Sequence, residues 1–438
     1  MDNETRERLL FLNPWHADRA AFQEATERRL PKVMLARAVA PLEADTKKAT
    51  LIVGPRQAGK STWVWSQLAG LDPATVLVID CEDSLLRALC SSAIGFLRAV
   101  KGLLPSVSTV FLEEAQNLEE AGLFIKGLVD SGLGLVVWAT GSSSYHLQAR
   151  TRESLAGRAQ RRRMLPLSLA EELGGHAAAS PLALASRADA VVARQWVLGG
   201  YPGVLRSSKP AAELNDLLEA FVLRDASDRF RIQRPDAFRR LIQLAGGQVG
   251  SLVNLAEWAS LLSISASTVD DYLGLLEETW ILRRVPAFAG GKRSEISSAR
   301  RIHFVDPGIR SAAIGTFSDD LLRRPDRGAL AEGWVFAELL KTLPEDWGIH
   351  YWRARGGAEM DFVLVRGTRI VGVEVKAGVR PGLSRSAHSF VDAYQPEALV
   401  VVSSSSAPAA RVGTTDIHLV SFAELATRVS AIVQNHPG

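Results

Sequence analysis

The chain has 438 residues, a formal net charge of +3 at pH 7, 47% hydrophobic residues and 23% charged residues, a balance that excludes disordered and fibrous proteins and favours two to four globular domains. Only Cys81 and Cys90 are cysteines, which excludes a disulfide framework and favours a reducing cytoplasm. No apolar run reaches the ~18 residues of a membrane span, and acids occupy the start where a signal peptide would be basic and apolar, so we expect a cytoplasmic protein with no membrane partner.

The amino-terminal part of the chain, up to residue 48, is typical of helix and connector, with Pro31 and Pro41 as breakers. Beyond it, short apolar runs have the composition of strands that are buried on both faces. These runs are 49–54, 75–80, 109–112 and 133–141. Amphipathic helical patterns follow three of them, which indicates βαβ units and a largely parallel sheet.

A glycine-containing loop lies between the first predicted strand and a predicted helix, and it fits the phosphate-binding pattern G-x-x-x-x-G-K-[ST]. Gly54 and Gly59 would let backbone N–H groups wrap the phosphates of ATP. Lys60 would reach the β- and γ-phosphates, and Ser61 would bind Mg²⁺. The predicted ATP-binding residues of the loop are Gly54, Pro55, Arg56, Gln57, Ala58, Gly59, Lys60, Ser61 and Thr62.

An acid pair follows the third predicted strand, where a P-loop ATPase needs carboxylates. We predict that Glu113 binds the metal, in the place where Asp is usual, and that Glu114 orients or deprotonates the attacking water. An acid cluster at a helix N-terminus is the alternative. Thr140, at the end of the fourth predicted strand, would contact the water or the γ-phosphate, and a plain turn there is equally consistent.

A run of arginines follows at Arg158, Arg161, Arg162 and Arg163. One of them, with Arg158 as the candidate, would act as an arginine finger on the nucleotide of a neighbouring subunit. The alternative is a solvated or phosphate-facing surface.

The order of several motifs is similar to that of a known family. They are the P-loop, Glu113-Glu114-Ala115-Gln116, Thr140-Gly141-Ser142-Ser143-Ser144, Ser154-Leu155-Ala156-Gly157-Arg158, Leu165-Pro166-Leu167-Ser168, and the shorter Asn13-Pro14-Trp15 and Gly200-Tyr201-Pro202. Over nearly its whole length the chain resembles prokaryotic AAA-type ATPases that carry a C-terminal domain of unknown function with a restriction-endonuclease-like fold. The resemblance implies an oligomeric arrangement, expected to be a hexamer.

The middle of the chain is mostly helical from about 185 to 310. Within it, apolar residues recur at helical spacing on both sides of a polar turn at 263–267, and Ser267 is the predicted cap of the second helix. The segment 251–281 resembles a winged helix-turn-helix, a module that often binds DNA.

The charges of this segment are unevenly placed. The predicted second helix, 267–281, carries four acids and no basic residue, whereas 283–301 holds six basic residues and one acid. We therefore expect the wing and its flanks to contact the DNA backbone, without reading bases. A helical protein–protein or interdomain module is the alternative.

The C-terminal part returns to a mixed pattern, with a helix at 329–341, a hairpin at 350–377, a strand at 397–404 and a last helix near 421–433. The stretches 174–190 and 405–413 are typical of loops. Gly367 and Thr368 favour a type II′ turn at the tip of the hairpin. In that register Asp361 faces Glu374, and Lys376 shares the same side of the sheet.

Two opposed carboxylates repel each other unless a cation lies between them, and Mg²⁺ prefers oxygen ligands. Glu332, on the preceding helix, is a third acid directed towards the hairpin. The set Glu332, Asp361, Glu374 and Lys376 resembles the PD-(D/E)xK nuclease constellation, in which the three acids would hold the metal and Lys376 would activate water. A structural ion-pair patch, or a DNA-binding platform without cleavage, is the alternative. Branched or forked DNA is implied by the resemblance alone.

The sequence thus predicts an α/β protein with a P-loop AAA-type parallel sheet domain, a helical winged-helix domain and a C-terminal α/β restriction-endonuclease-like domain. The expected boundaries are 1–48 for an N-terminal helical segment, then 49–184, 185–315 and 316–438 for these domains. We expect an ATPase that acts on DNA and binds or cleaves it with Mg²⁺. The alternative function is an ATP-controlled switch, scaffold or DNA translocase without nuclease turnover.

Overall fold

The computed structural model describes residues 1–142, 155–174, 180–222, 232–290, 299–378 and 382–434. The chain forms two compact units. The first comprises Met1–Pro166 with Glu278–Trp280, and the second comprises Leu167–Glu277 with Ile281–Gly438. Ser143, Ser144, Ser154, Lys292 and Arg293, which belong to predicted motifs or to the basic segment, lie outside the described residues.

The first unit is built on strands β1 (Ala49–Val53), β2 (Val76–Asp80), β3 (Thr109–Glu113), β4 (Val136–Gly141) and β5 (Ala159–Arg163). Its helices are α1 (Asn3–Leu12), α2 (Ala20–Arg29), α3 (Lys60–Leu68), α4 (Ser84–Leu89), α5 (Ala93–Leu103) and α6 (Ala121–Val129). The strands lie in the order β2-β3-β4-β1-β5, and every pairing is parallel. The predicted parallel sheet is confirmed.

The fifth strand was not predicted, because its sequence Ala-Gln-Arg-Arg-Arg is polar. It pairs with β1 from Ala159 opposite Ala49 to Arg163 opposite Val53 and forms one edge of the sheet. An edge strand with charged side chains resists pairing with other chains. Arg161, Arg162 and Arg163 therefore belong to a strand, and whether their side chains form a solvated or a phosphate-facing surface stays a prediction.

The opposite edge of the sheet is closed by the segment Asn13–Trp15. Asn13 is fully buried, and its side-chain amide donates to the Val78 carbonyl at 2.9 Å and accepts from the Val78 N–H at 2.7 Å. The indole of Trp15 donates to the Val76 carbonyl at 2.9 Å. These side chains satisfy backbone groups of β2 as a further strand would, which protects an exposed edge.

The second unit begins with α7 (Leu169–Leu173), α8 (Pro181–Leu198), α9 (Pro202–Arg206), α10 (Pro210–Ala220), α11 (Pro235–Gly247), α12 (Leu255–Leu262) and α13 (Ala266–Glu278). An antiparallel pair follows, β6 (Leu282–Pro286) with β7 (Arg300–Phe304), as in the wing of a winged helix. The predicted loop at 174–190 is wrong from Pro181 onwards, because Pro181 occupies the first turn of a helix that Ser180 caps.

The predicted cap of the second helix in the helix-turn-helix is also wrong. The helix begins at Ala266, one residue earlier, and the Thr268 N–H donates to the Ser265 hydroxyl at 3.0 Å. Ser265 and Ser267 are equally suitable cap residues, so the sequence could not choose between them.

The rest of the second unit contains α14 (Pro307–Ile314), α15 (Arg327–Thr342), β8 (Gly348–Arg353), β9 (Glu359–Arg366), β10 (Arg369–Val375), α16 (Arg385–Tyr394), β11 (Ala398–Ser403), β12 (Ala407–Val412), β13 (Thr415–Ser421) and α17 (Leu425–Gln434). The strands form a mixed sheet in the order β12-β13-β11-β10-β9-β8. The stretch 405–413, predicted as a loop, contains β12, an exposed edge strand.

The hairpin register is the one predicted. Arg366 lies opposite Arg369 and Phe362 lies opposite Val373. Gly367 has φ +58° at the first turn position, as a type II′ turn requires. The α15 residues Trp334 and Phe336 are buried in the same apolar core as β9 and β10, which fixes the helix against the sheet. Within the described residues, no helix combines the length and apolar character needed to cross a membrane.

Candidate functional site

The P-loop lies between β1 and α3, at the carboxyl end of the parallel sheet. Lys60 is buried, and its ammonium donates to the carbonyls of Gly54 at 3.0 Å and Pro55 at 2.7 Å. A Cβ on Gly54 would lie 1.8 Å from the Met164 carbonyl oxygen, so only glycine fits there. Gly59 has φ +94°, a conformation that favours glycine. The loop therefore has the backbone and the cation of a phosphate-binding site.

Glu113 ends β3, and the Ser61 hydroxyl of the P-loop lies near enough to its carboxylate to act on its pKa. Burial raises the pKa of Glu113 above its ordinary value, while the Ser61 hydroxyl and the charge of Arg29 oppose this shift. Thus the two residues predicted to hold Mg²⁺ beside the nucleotide lie near one another. A hydroxyl and a carboxylate are oxygen ligands of the kind Mg²⁺ prefers, so this pair fits the ion.

Glu114 has left-handed backbone angles, φ +52° and ψ +47°, which are uncommon for a residue with a side chain. Its N–H donates to the buried Thr140 hydroxyl at 3.1 Å, and its carboxylate accepts from the Gln116 amide. The same amide also donates to Ser142 at 3.0 Å. Strained backbones of this kind cluster at functional sites. Thr140 thus holds Glu114 in place, and its contact with the water or the γ-phosphate stays a prediction.

Arg158 immediately precedes β5, and its side chain pairs with Asp130 at 2.6 Å. Arg163, at the other end of the strand, is level with Val53, where the P-loop begins. Five strand residues span about 16 Å. Arg158 therefore lies at the amino end of β5, whereas the P-loop of the same chain lies at the level of the carboxyl end.

The basic and acidic stretches of the middle segment neutralise one another in part. Arg284 on β6 donates through Nε to Glu277 at 2.7 Å and also pairs with Asp270, both on the acidic helix α13. Arg301 is buried and pairs with Glu359 of the C-terminal sheet and with Glu332 of α15. Two arginines counted as available to a DNA backbone are thus occupied by acids of the same chain.

A carboxylate cluster lies where β7, α15 and β9 meet. The Arg301 guanidinium pairs with Glu359 at 2.7 Å and with Glu332 at 3.9 Å, and stacks over the Tyr351 ring at 4.7 Å. His303, fully buried on the same side of β7, has Nε2 at 3.6 Å from Glu332. Burial and the neighbouring Arg301 lower the pKa of His303 to about 3, so its ring is neutral.

The predicted nuclease residues lie on the adjacent hairpin. Asp361 accepts from the Val375 N–H at 2.7 Å, which places its carboxylate at the end of β10. Glu374 is buried, and the Lys376 ammonium pairs with it at 2.5 Å. Burial is the main cause that raises the pKa of Glu332 to about 8 and that of Asp361 to about 6, and repulsion by neighbouring carboxylates adds to it.

The cluster fits a metal ion only in part. Within the described ranges, no group of three or more His, Cys, Asp and Glu side chains is arranged to hold a metal. Oε1 of Glu332 and Oε2 of Glu374 are nevertheless buried without a hydrogen-bond partner. The Arg301 guanidinium lies beside Glu332 and supplies positive charge there. The sequence predicted that a metal ion, held by Glu332, Asp361 and Glu374, would supply that charge.

The raised pKa values make the stability of the second unit depend on pH. Between pH 4.5 and about 8 an unfolded Glu332 has lost a proton that the folded state retains, so the free energy of unfolding should fall as the pH rises through this range. We expect the urea midpoint of this unit, measured with EDTA, to be higher at pH 5 than at pH 8. The difference should shrink in Glu332→Gln, and an equal pH dependence in the variant would contradict the assignment.

Sequence reasoning missed four residues at these sites. Gln116 orients Glu114, Arg301 and His303 face the carboxylates, and Gly250, with φ +75°, lies where a Cβ would be 2.8 Å from Glu332 Oε1. Arg301 and His303 are two residues apart on one strand, so the sequence could have shown that their side chains lie on the same face. Their partners lie more than 25 residues away in the sequence, and no pattern indicated them.

Family models match three consecutive parts of the chain. A model described as an AAA domain matches residues 46–173, domain of unknown function DUF8612 matches 190–320, and domain of unknown function DUF4143 matches 327–424. The first unit is accordingly an AAA ATPase-like P-loop domain.

The chain is 30% identical over 362 residues to uncharacterized protein Rv2008c of Mycobacterium tuberculosis and equally to uncharacterized protein Mb2031c of Mycobacterium bovis. The alignment covers 80% of this chain and 75% of each relative. The chain therefore belongs to the family of these mycobacterial proteins.

The chain is also similar to solved structures, although the similarity is weak. The replication initiator DnaA bound to AMPPCP and single-stranded DNA is 14% identical with a TM-score of 0.22, over 59% of this chain and 86% of that one. The ORC2 protein of Aeropyrum pernix is 12% identical with a TM-score of 0.27, over 67% of this chain and 90% of that one. Scores this low carry no inference about ligands or partners.

Proposed function

We propose that the first unit binds ATP with Mg²⁺ and hydrolyses it, and that the ATP state controls the second unit. The observation that carries this proposal is the P-loop geometry, in which the buried Lys60 ammonium lies inside the loop and Ser61 lies near Glu113. Lys60, already inside the loop, would bind the β- and γ-phosphates. Mg²⁺ beside Ser61 and Glu113 would neutralise charge on those phosphates.

Hydrolysis requires that a water be oriented towards the γ-phosphate. Glu114 follows Glu113 directly and is held by Thr140 and Gln116. Because the peptide N–H and the carboxylate are both anchored, the side chain is pre-organised to accept a proton from water. We assign it this role.

The direct test is nucleotide binding by the intact chain and by Lys60→Ala. We expect the wild type to bind ATP in isothermal titration calorimetry, and Lys60→Ala to bind at least about tenfold more weakly, because a charge-assisted contact to phosphate is lost. Exposed Lys47→Ala is the control and should bind as the wild type does. Unchanged affinity in Lys60→Ala would contradict the assignment of this loop.

Self-association is part of the proposal. Arg158 lies about 16 Å along β5 from the level of the P-loop, too far to reach the nucleotide of its own chain. It would instead act on the nucleotide of a neighbouring subunit in a ring. The family resemblance implies that this ring is a hexamer. Light scattering with and without ATP checks this. A monomeric mass under both conditions would remove Arg158 from the reaction.

A second candidate function is Mg²⁺-dependent binding or cleavage of DNA by the second unit. It is supported by the common location of Asp361, Glu374 and Lys376 at the end of the hairpin. Asp361 and Glu374 would hold the metal, which would supply an activated water, while Lys376 would stabilise negative charge. Against it stands the engagement of Arg284 and Arg301 with acids of the same chain.

Cleavage assays with linear, forked and four-way DNA in Mg²⁺ or Mn²⁺ separate the two candidates. If the second unit is a nuclease, the wild type should cut and Asp361→Ala should lose about 10²-fold or more of the rate, because the metal loses a ligand. Asp392→Ala, an exposed carboxylate of the same unit, is the control. Cleavage that survives Asp361→Ala would exclude this site, and ATP hydrolysis without cleavage by the wild type would favour the switch.

A further inference from the structure

Arg37 lies in the connector between α2 and β1, outside the P-loop motif. Its Nη1 donates to the carbonyl of Ala58, within the P-loop, at 2.9 Å, and its Nη2 donates to the carbonyl of Leu165. Ala58 and Leu165 are both buried, and Arg37 itself is half-buried. One guanidinium therefore joins the connector, the P-loop and the segment that follows β5.

The first of these contacts sets the orientation of a peptide group. The peptide between Ala58 and Gly59 is trans and planar, so its C=O and N–H point in opposite directions. Because Arg37 holds the Ala58 carbonyl, the Gly59 N–H points away from the Arg37 side chain. Gly59 also precedes Lys60, at the N-terminus of α3, where backbone N–H groups bind phosphate.

The second contact gives the guanidinium a fixed anchor. Met164 donates its N–H to the Val53 carbonyl at 2.8 Å, which continues the pairing of β5 with β1 up to the residue before Leu165. The Met164 carbonyl oxygen lies against Gly54, at the first position of the loop. Arg37 thus links Ala58, late in the P-loop, to the backbone segment after β5. That segment is itself held against Val53 and Gly54, where the loop begins.

We propose that Arg37 is a positioning residue for the nucleotide phosphates: by holding the Ala58 carbonyl it pre-orients the Gly59 N–H for phosphate binding. This role rests on the proposed function. Arg37 acts through the backbone and makes no contact with the nucleotide. A planar guanidinium supplies two divergent N–H groups to two carbonyls, and the single ammonium of a lysine cannot reproduce that geometry.

The test is the affinity for ATP and ADP of the full-length chain, measured by calorimetry. We expect Arg37→Ala to weaken both about tenfold, and Arg37→Lys to weaken both by a smaller factor, since a Gly59 N–H that is no longer held in place loses its charge-assisted hydrogen bond to phosphate, an effect of this order. Arg28→Ala, an exposed arginine of α2, is the matched control and should bind as the wild type does.

A purely structural role would lower the unfolding temperature without changing the affinity of the folded fraction. Wild-type affinity in Arg37→Ala, or in Arg37→Lys should Arg37→Ala fail to fold, would overturn the inference. An equal loss in Arg28→Ala would overturn it as well. Failure of the wild type to bind ATP is a separate result, which would contradict the proposed function itself.

Discussion

Replacement of Glu114 by Gln should slow ATP hydrolysis by about 10²-fold or more while ATP binding stays within about twofold of the wild type. A general base contributes about 10²–10⁴-fold to a rate, and the amide cannot accept a proton from water. Binding should be kept because Glu114 follows β3 and is separate from the P-loop. The measurements are steady-state phosphate release and calorimetric affinity for ATP.

Glu120→Gln is the matched control, since this acid is exposed near the same strand end and makes no side-chain cap of α6. It should hydrolyse ATP at the wild-type rate. If Glu114→Gln turns ATP over as fast as the wild type, Glu114 is not the base. If it fails to bind ATP, the residue supports the fold of the site and the catalytic assignment is lost.

Replacement of Arg301 by Ala should destabilise the second unit by about 1–3 kcal/mol. The buried guanidinium makes a hydrogen bond to the exposed carboxylate of Glu359, and loss of a hydrogen bond to a charged group costs about this much. Here Glu332 and Glu359 would lose their cation, and Tyr351 would lose the guanidinium that stacks on its ring. The effect in this unit would be measured by denaturant unfolding, with hydrogen exchange of the β7 and β9 amides as the probe.

Arg300→Ala provides the control, because Arg300 is the exposed neighbour on the same strand. It should change stability by no more than about 0.5 kcal/mol. Above about pH 8, where Glu332 would otherwise have to ionise, adding Glu332→Gln to Arg301→Ala should restore part of the loss, because one unpaired carboxylate is removed. Equal stability of Arg301→Ala and the wild type would show that the cluster does not depend on this cation.

Local rules explain why some parts of the structure were predictable. The P-loop follows from glycine and lysine at fixed spacing between a strand and a helix, and Gly54 and Gly59 have the backbone that this pattern demands. The hairpin register follows from a two-residue turn, because side chains alternate with a period of two. Five residue pairs from Arg366–Arg369 to Phe362–Val373 confirm it.

The parts that could not be predicted depend on contacts between distant residues. The strand β5 is polar, and only its pairing with β1 makes it a strand. The basic stretch at 283–301 gave no sign that Arg284 and Arg301 bind acids of the same chain. A net charge of +3 therefore conceals internal ion pairs, and the position of a charge in the sequence does not show that it is available to a partner.

The central claim is that the first unit turns over ATP with Mg²⁺ held beside Ser61 and Glu113. Steady-state ATP hydrolysis by the purified chain, with Mg²⁺ and with excess EDTA, tests it most directly. We predict turnover in Mg²⁺ that disappears in EDTA and in Lys60→Ala. No turnover by the wild type in Mg²⁺, or turnover that persists in Lys60→Ala, would contradict the claim.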